Sequence, residues 1–442
     1  MSDESGTFVL GVIMGDEHRT VVCKDENVAR LKLDVARSLS ASTVFTPDAR
    51  PFIEMGVEFP AGLIDLRVPY GKRLLTRSRE GGDIELISRL KFLDSLIDSE
   101  RRARRLAKID NSRHSLFRGL DHLLHEWLSI RSRLFRELGQ RTPAHMLGRD
   151  RLDVVRALYR IERSGIQRDS DVVKFELDPY MGKTGRFRVS SGFNCMAIPH
   201  GDERRKIVSR FSGGMICSFD FNAIDYRRIV SSTEDARFIH LYDGANDFHE
   251  RTCQILRGYP DDPWSSSGEH PSPLLRKIVK QATYTSVYGG SEQTLAKQLG
   301  IDQDRCHGLV ESLGKVMAPI HDFRNRLYQH YLDHGSVTLP TGRLIEILPD
   351  AHPGKVLGLY AQSYSSWVFE RALVWVDRNI DVIAPRSVPI FPVHDELVFD
   401  FHPDEIGQID EIARGMECPD HDSGQMRSVV KVKKGKNYDE TG

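Results

Sequence analysis

The sequence predicts an α+β fold, and three observations carry that prediction. Phe391–Phe401 sets two Val- and Phe-rich runs of strand type on either side of the polar triplet His394-Asp395-Glu396, the pattern of paired strands joined at a tight turn. Met215–Phe221 is another apolar run of strand type, and it ends in a carboxylate, Asp220. Leu274–Tyr288 and the stretch from Gly358 to about Val376 are long and periodic enough to be helices.

Size and composition set the bounds. With 442 residues and 40% hydrophobic content, the chain can bury a sizeable core in two or three domains. A formal net charge of -1 gives no global sign of nucleic-acid binding, so any such surface must be local. Six cysteines (Cys23, Cys195, Cys217, Cys253, Cys306, Cys418) lie far apart with no CxxC pair and no leading apolar signal segment, which favours a reducing cytosol over a disulfide framework or a zinc site. No apolar run reaches the ~18 to 20 residues of a membrane span. The expectation is a soluble, cytoplasmic protein with no membrane partner.

In chain order, residues 8–14 and 20–23 read as strands and 26–39 as an amphipathic helix; strand-like segments at 42–45 and 63–68 complete a small α/β unit. From Ile84 to about Leu147 the pattern is helical and arginine-rich, with 14 Lys or Arg against 7 Asp or Glu between Arg89 and Arg149. Such a stretch fits phosphate tracking and a solvated face docked on an acidic neighbour equally well. Arg151–Ser164 reads as a helix closed by Gly165, and 166–183 carries little regular pattern. Thr184–Ser191, followed by Asn194 and Ile198-Pro199, puts short polar side chains beside Arg186 and Arg188, which suits a sugar-phosphate backbone, though a plain loop looks the same.

Asp220 on its strand can meet Asp395 across a sheet and form a carboxylate pair for two metal ions about 3.5 to 4 Å apart. Taken alone, Asp220 reads equally as a helix N-cap, and Asp395-Glu396 as a surface turn. Asp225 and Arg227 open a helix running to Ser231, and 258–273 has the composition of an exposed loop. Arg276, Lys280, Tyr284 and Tyr288 recur every four residues, so on a helix they form one stripe of two cations followed by two rings, ended by Gly289-Gly290. Cations hold a triphosphate and a ring packs on the sugar or base. Residues 291–334 read as helices and 335–348 as a hairpin turning at Pro340–Gly342. Gln362, Ser363, Ser365 and Ser366 fit either a nucleic-acid groove or an ordinary exposed helical turn. Past Pro403 the tail has little periodicity.

These pieces, in this order, resemble the family A DNA polymerases, the bacterial DNA polymerase I type. Asp220-Phe-Asn-Ala-Ile-Asp-Tyr-Arg227 is similar to motif A of that family (DYSQIELR). The Arg276, Lys280, Tyr284, Tyr288-Gly289 helix resembles motif B, and Val393-His-Asp-Glu-Leu397 resembles motif C. Thr184-Gly-Arg through Pro199 is similar to the TGRLSS...NIP segment, with one extra residue before Asn194; Asp247-Phe-His-Glu250 resembles the histidine segment of the fingers, and Ala361-Gln-Ser363 the Val-Gln-Gly at the primer end.

The resemblance implies an antiparallel palm sheet and helical fingers within 184–442, the fingers at about 240–330. Before them it implies a ribonuclease H-like exonuclease-type domain at 1–85, a basic helical region at 86–150, and a lead-in helix with a vestigial thumb at 151–183. It implies template-directed DNA synthesis from deoxynucleoside triphosphates on a primer–template, with Asp220 and Asp395 holding two Mg2+ ions, or Mn2+ as a substitute. Lys280 joins those two as a catalytic group; His249, Arg276 and Lys280 grip the triphosphate, Tyr284 packs on the sugar, Tyr288 guards the template-base position and Asp225 selects the sugar. His394, Glu396, Gln362 and Asn194 sit by the DNA, with Arg186 or Arg188 on the duplex backbone. A single-subunit RNA polymerase-like enzyme and a non-catalytic DNA-binding scaffold are the alternatives.

Three departures stand out. Asp225 takes the place of a family glutamate that excludes the ribose 2′-hydroxyl, and Tyr284 replaces the commoner Phe. Only 170–183 separate the lead-in helix from the Thr184 segment, where the family has a helical thumb, so low processivity alone and a partner protein or the basic 89–149 helices in the thumb's role are expected. In the N-terminal unit Asp48, Glu54 and Asp65 fall at acidic exonuclease positions, but the opening Asp-x-Glu is absent, and no proofreading is expected.

Overall fold

The computed structural model describes the strands at 8–14, 17–23, 44–46 and 63–65 and residues 149–178, 184–243, 247–257, 273–347, 351–417 and 426–442. The chain divides into two compact units, residues 1–159 with 179–181, and residues 160–178 with 182–442.

In the first unit, β1 (Phe8–Met14) and β2 (Glu17–Cys23) form an antiparallel hairpin, while β3 (Val44–Thr46) runs parallel to β4 (Leu63–Asp65). These meet the expected strands, β2 starting at Glu17 rather than Thr20. The expected helix at 26–39, the arginine-rich helices at 84–147, Asp48 and Glu54 lie outside the described residues. Helix α1 (Arg149–Ser164) ends at Gly165, whose φ of 64° is the left-handed conformation that a glycine cap adopts without strain.

The second unit opens with β5 (Ile166–Arg168), β6 (Asp171–Val173), β7 (Phe175–Asp178) and β8 (Arg188–Gly192), paired as two hairpins. Strands β5–β7 correct the reading of 166–183 as carrying little regular pattern: at three or four residues each they are too short for a period-two alternation to register. There follow a short helix α2 (Asp202–Arg205), strand β9 (Met215–Phe221), and helices α3 (Ile224–Ser232), α4 (Ala236–Tyr242), α5 (Phe248–Leu256) and α6 (Pro273–Tyr288). Helices α7 (Glu292–Leu299), α8 (Gln303–Val316) and α9 (Ala318–His334) lead into the hairpin β10 (Ser336–Thr338) and β11 (Leu344–Glu346). Helix α10 (Pro353–Ile383), the strand pair β12 (Val388–Val393) and β13 (Glu396–Phe401), helix α11 (Ile409–Glu417) and strand β14 (Val430–Gly435) complete it. Mixed helix and antiparallel sheet is the predicted α+β class.

The centre is a four-stranded antiparallel sheet in the order β12-β13-β9-β14. Phe219, Phe399 and Phe401 are fully buried with ring centroids 5.1 to 6.0 Å apart. Each contributes about 1.5–3 kcal/mol by leaving water, so the sheet is a rigid platform. Asp400 on β13, 1% exposed, accepts from Ser209 Oγ (2.5 Å), Arg210 N (2.9 Å) and Arg210 Nε (2.9 Å). The same guanidinium donates to the carbonyls of Ser164 and Gly165, tying the end of α1 to the sheet.

Helix α10 packs along α3, α9 and α11 and runs well past the predicted 358–376. It starts earlier because His352 caps the Lys355 N–H and Pro353 occupies the first turn, where its missing N–H costs nothing. It continues later because Asp377 and Asp381, which interrupt the apolar pattern, receive Arg160 at 2.6 and 2.8 Å. Strand β14 corrects the reading of the tail as having little periodicity. No helix among the described residues is long and apolar enough to cross a membrane.

Candidate active site

Antiparallel pairing sets Asp220 of β9 directly across from Glu396 of β13 on one side and Lys431 of β14 on the other. His394 and Asp395 form the two-residue turn between β12 and β13, with His394 at a φ of 57°, the positive value that such a turn demands. The Phe221 N–H donates to the Asp395 carbonyl at 3.2 Å, closing that turn onto the end of β9. Asp220 and Asp395 therefore meet at one end of the sheet. The N-cap alternative for Asp220 is excluded, because α3 is capped at Ala223, two residues beyond the strand.

Burial, reinforced by the charges of Asp220 and Asp225, pushes the Asp395 carboxyl up to about 7, with Arg186 opposing. Burial raises Asp220 as well, and Lys433, Lys431 and Lys280 pull it back. Two half-buried carboxylates that repel each other and offer only hard oxygen donors fit a divalent cation such as Mg2+. Among the described residues no group of three or more His, Cys, Asp or Glu side chains gathers as a metal site. Glu396, in the row of Asp220, accepts from the Tyr438 hydroxyl at 3.3 Å.

Helix α3 turns away from the strand end through Ala223, at a φ of 49°. Its first turn carries Asp225, whose Oδ2 lies 3.5 Å from Arg186 Nη2 and whose Oδ1 is buried without a hydrogen-bond partner. Arg227 is buried rather than free in the site: it donates to the Asn222 and Arg427 carbonyls and so fastens the approach to β14.

On α6 the predicted stripe holds. The Tyr284 and Tyr288 rings stack at 5.9 Å, and the buried Tyr226 ring meets both edge-on at 5.2 and 6.2 Å. Tyr284 is 44% exposed, so part of its ring is open to a ligand. The Tyr288 carbonyl rests against Gly354 of α10, where an added Cβ would come within 1.8 Å of it. Helix α6 can cross α10 there only because Gly354 has no side chain.

Asp247 caps α5, its Oδ1 accepting from the N–H groups of His249 and Glu250 at 3.0 Å. Its Oδ2 accepts from Arg276 Nη2 at 2.6 Å and from Lys431 Nζ at 3.2 Å. Burial opposes this ionisation, yet the bonds from Arg276, Glu250 N and Lys431 hold the Asp247 carboxyl well below the usual range. His249 is 5% exposed; burial and the charges of Lys280, Arg276 and Lys431 push it down to about 4, so its imidazole is neutral at pH 7.

Of the predicted site residues, the structure gathers Asp220, Asp395, His394, Glu396, Asp225, Arg186, His249, Arg276, Lys280, Tyr284 and Tyr288. Three lie apart. Arg188 stands exposed on β8 opposite Asp178, Asn194 is exposed ahead of a short 3-10 turn, and Gln362 is half-buried on α10. Ser363, Ser365 and Ser366 are buried, which corrects both readings of them as an exposed turn or a groove surface. Sequence reasoning missed Lys431 and Tyr226. The alternation Val430-Lys431-Val432-Lys433 was the signal available for β14.

The profile of the family described as DNA polymerase family A matches residues 154–440. The DNA polymerase of Mycobacterium phage D29 is 24% identical over 226 residues, covering 50% of this chain and 34% of that protein. DNA polymerase I of Chloroflexus aurantiacus is 23% identical over 270 residues, covering 58% of this chain and 28% of that protein. The chain thus spans about a third or less of the length of these curated relatives. Among solved structures, the POL domain of Pol1 from M. smegmatis, in complex with DNA primer-template and dNTP, aligns with a TM-score of 0.52 at 19% identity, over 86% of this chain and 67% of that one. A profile match running through β9, α6 and the β12–β13 turn, with the same fold in the mycobacterial domain, places the chain in DNA polymerase family A.

Proposed function

We propose that the chain is a template-directed DNA polymerase, adding deoxynucleotides to a primer 3′-hydroxyl by phosphoryl transfer. The observation that carries this is the arrangement at one sheet end: the repelling pair Asp220 and Asp395 faces a cationic, ring-bearing helix face of Arg276, Lys280 and Tyr284. The mycobacterial domain of similar fold was solved with DNA primer-template and dNTP, and the same partners are proposed here.

Asp220 and Asp395 would hold two Mg2+ ions (or Mn2+), which when bound would supply Lewis-acid activation of the primer hydroxyl and charge neutralisation at the pyrophosphate. The chain's own work is positioning and electrostatics. Arg276 and Lys280 bind the triphosphate as charged donors, and neutral His249 adds a hydrogen bond. Tyr284 packs the open part of its ring on the sugar, and Tyr288, fixed against Gly354, borders the templating position. His394 and Glu396 sit by the primer end, with Arg186 beside Asp225 and the DNA backbone. Residues 184–442 form the palm and fingers of this reading, and its setting is the cytoplasm of a bacterial or phage-infected cell.

Asp225 is one methylene shorter than glutamate and is drawn toward Arg186, which leaves more room beside Tyr284 for a 2′-hydroxyl. Ribonucleotide misincorporation is therefore expected to fall on Asp225→Glu; an unchanged ratio of ribo- to deoxynucleotide insertion would refute this role. Among the described residues between α1 and Thr184 the elements are the short strands β5–β7, where the family places a helical thumb. We expect the purified chain to add few nucleotides per binding event, checked under a DNA trap, and long single-encounter products would overturn that expectation. The reading itself is tested by parallel extension of one primer–template with deoxy- and ribonucleotides. Deoxynucleotide extension supports it, and preference for ribonucleotides would favour an RNA polymerase-like enzyme.

A further inference from the structure

Cross-strand partners share a face of a sheet, and side chains two apart on a strand return to that face. The β9–β14 register therefore puts Lys431 in the row of Asp220, and Lys433 in the next row, opposite Ser218. A lysine beside a reactive carboxylate would be expected to pair with it. Lys431 instead reaches away, to Asp247 Oδ2 on α5, the same oxygen that receives Arg276 from α6.

That geometry is specific. Asp247 Oδ1 is occupied by the first N–H groups of α5, which fixes the carboxylate and aims Oδ2 at the two cations. Arg276 and Lys431 are 39% and 42% exposed, while Asp247 is 14% exposed, so a solvent-borne anion can reach both cations. An anionic oxygen gripped by a guanidinium from one element and an ammonium from another is how a protein holds a phosphate oxygen. Lys280 carries the same positive field onward, and the charges of Lys280, Arg276 and Lys431 help burial keep His249 neutral.

We propose that Lys431 binds the phosphate tail of the incoming nucleotide, and that Asp247 stands in for a phosphate oxygen between Arg276 and Lys431 until the triphosphate replaces it. This rests on the polymerase reading. Arg276 and Lys280 ride on α6, whereas Lys431 stands on the sheet in the row of Asp220. A phosphate tail held by all three ties the helix to the platform that carries the catalytic carboxylates. The same contact serves the reverse reaction. There a pyrophosphate oxygen attacks the terminal phosphorus of the primer, a deoxynucleoside triphosphate forms, and the preceding 3′-oxygen leaves and takes a proton.

The experiment measures single-nucleotide incorporation, pyrophosphorolysis and DNA binding for the wild type, Lys431→Met and Lys431→Arg, with melting curves to confirm that each variant is folded. Loss of one charged hydrogen bond at the tail should raise the KM for deoxynucleotide and for pyrophosphate about tenfold in Lys431→Met, with kcat within about twofold and the Kd for primer–template unchanged. Lys431→Arg should restore most of both KM values. If Lys431→Met weakens DNA binding and leaves both KM values unchanged, the residue grips a DNA phosphate and the proposal is overturned; unchanged KM and Kd values overturn it too. A wild type that incorporates nothing would instead refute the polymerase reading and the inference with it.

Discussion

Asp395→Asn is expected to lower nucleotide incorporation at least about a thousandfold, since a metal-held charge supplies several kcal/mol and each 1.36 kcal/mol is tenfold in rate. The same substitution should make the metal-free protein melt at a higher temperature than the wild type. The physical cause is burial, reinforced by repulsion from the charges of Asp220 and Asp225, which together push the Asp395 carboxyl up to about 7. Removing that charge relieves the strain of gathering like charges at the sheet end. Magnesium should raise the melting temperature of the wild type and much less that of the variant. Melting curves in chelator and in Mg2+ separate this account from a structural role. A variant that melts lower in chelator, or that responds to Mg2+ as the wild type does, would show that Asp395 serves the turn rather than a cation.

Glu370→Ala is expected to cost about 3–5 kcal/mol of unfolding free energy, the range for stripping a buried cation of its carboxylate. Arg343, 7% exposed beside the β10–β11 turn, donates from Nη2 to Glu370 Oε1 at 2.9 Å, and Glu370 is fully buried on α10. Nη1 lies 3.5 Å from the Ser363 carbonyl. The guanidinium also lies against Gly185, where an added Cβ would sit 2.8 Å from Nη1. Gly185 has a φ of 78° and precedes Arg186, the partner of Asp225, so one buried guanidinium joins the hairpin, the middle of α10 and the segment that enters the site. The double variant Arg343→Met, Glu370→Leu should recover much of the loss, because an apolar pair of similar volume needs no desolvation of charge. Urea unfolding of the single and double variants is the check; a double variant no better than Glu370→Ala would assign the loss to packing instead.

How much of this was legible in the sequence depended on the range of the contacts involved. Strand β9 and the β12–β13 turn stand out because apolar runs are punctuated by carboxylates. Helix α6 stands out because Arg276, Lys280, Tyr284 and Tyr288 keep a helical spacing. Strand β14 was hidden: its alternation is brief, and its lysines lower the apolar signal that marks a strand. No local pattern could announce that Lys431 faces Asp220, because that pairing is a register between distant strands. The serines of α10 misled for a related reason. A serine-rich turn reads as solvated, yet Ser363, Ser365 and Ser366 lie in a stretch of α10 whose surroundings bury them. The charge coupling between Asp220 and Asp395 could be anticipated as chemistry, but its size is a property of burial, which only the packed sheet supplies.

We propose that Asp220 and Asp395 serve template-directed DNA synthesis on the surface formed by the sheet end and α6. Extension of a labelled primer–template in Mg2+, one deoxynucleotide at a time, by the wild type and by Asp395→Ala tests it most directly. The wild type is expected to add only the nucleotide complementary to the template, and Asp395→Ala to add none. No extension by the folded wild type, or equal extension by both proteins, would contradict it.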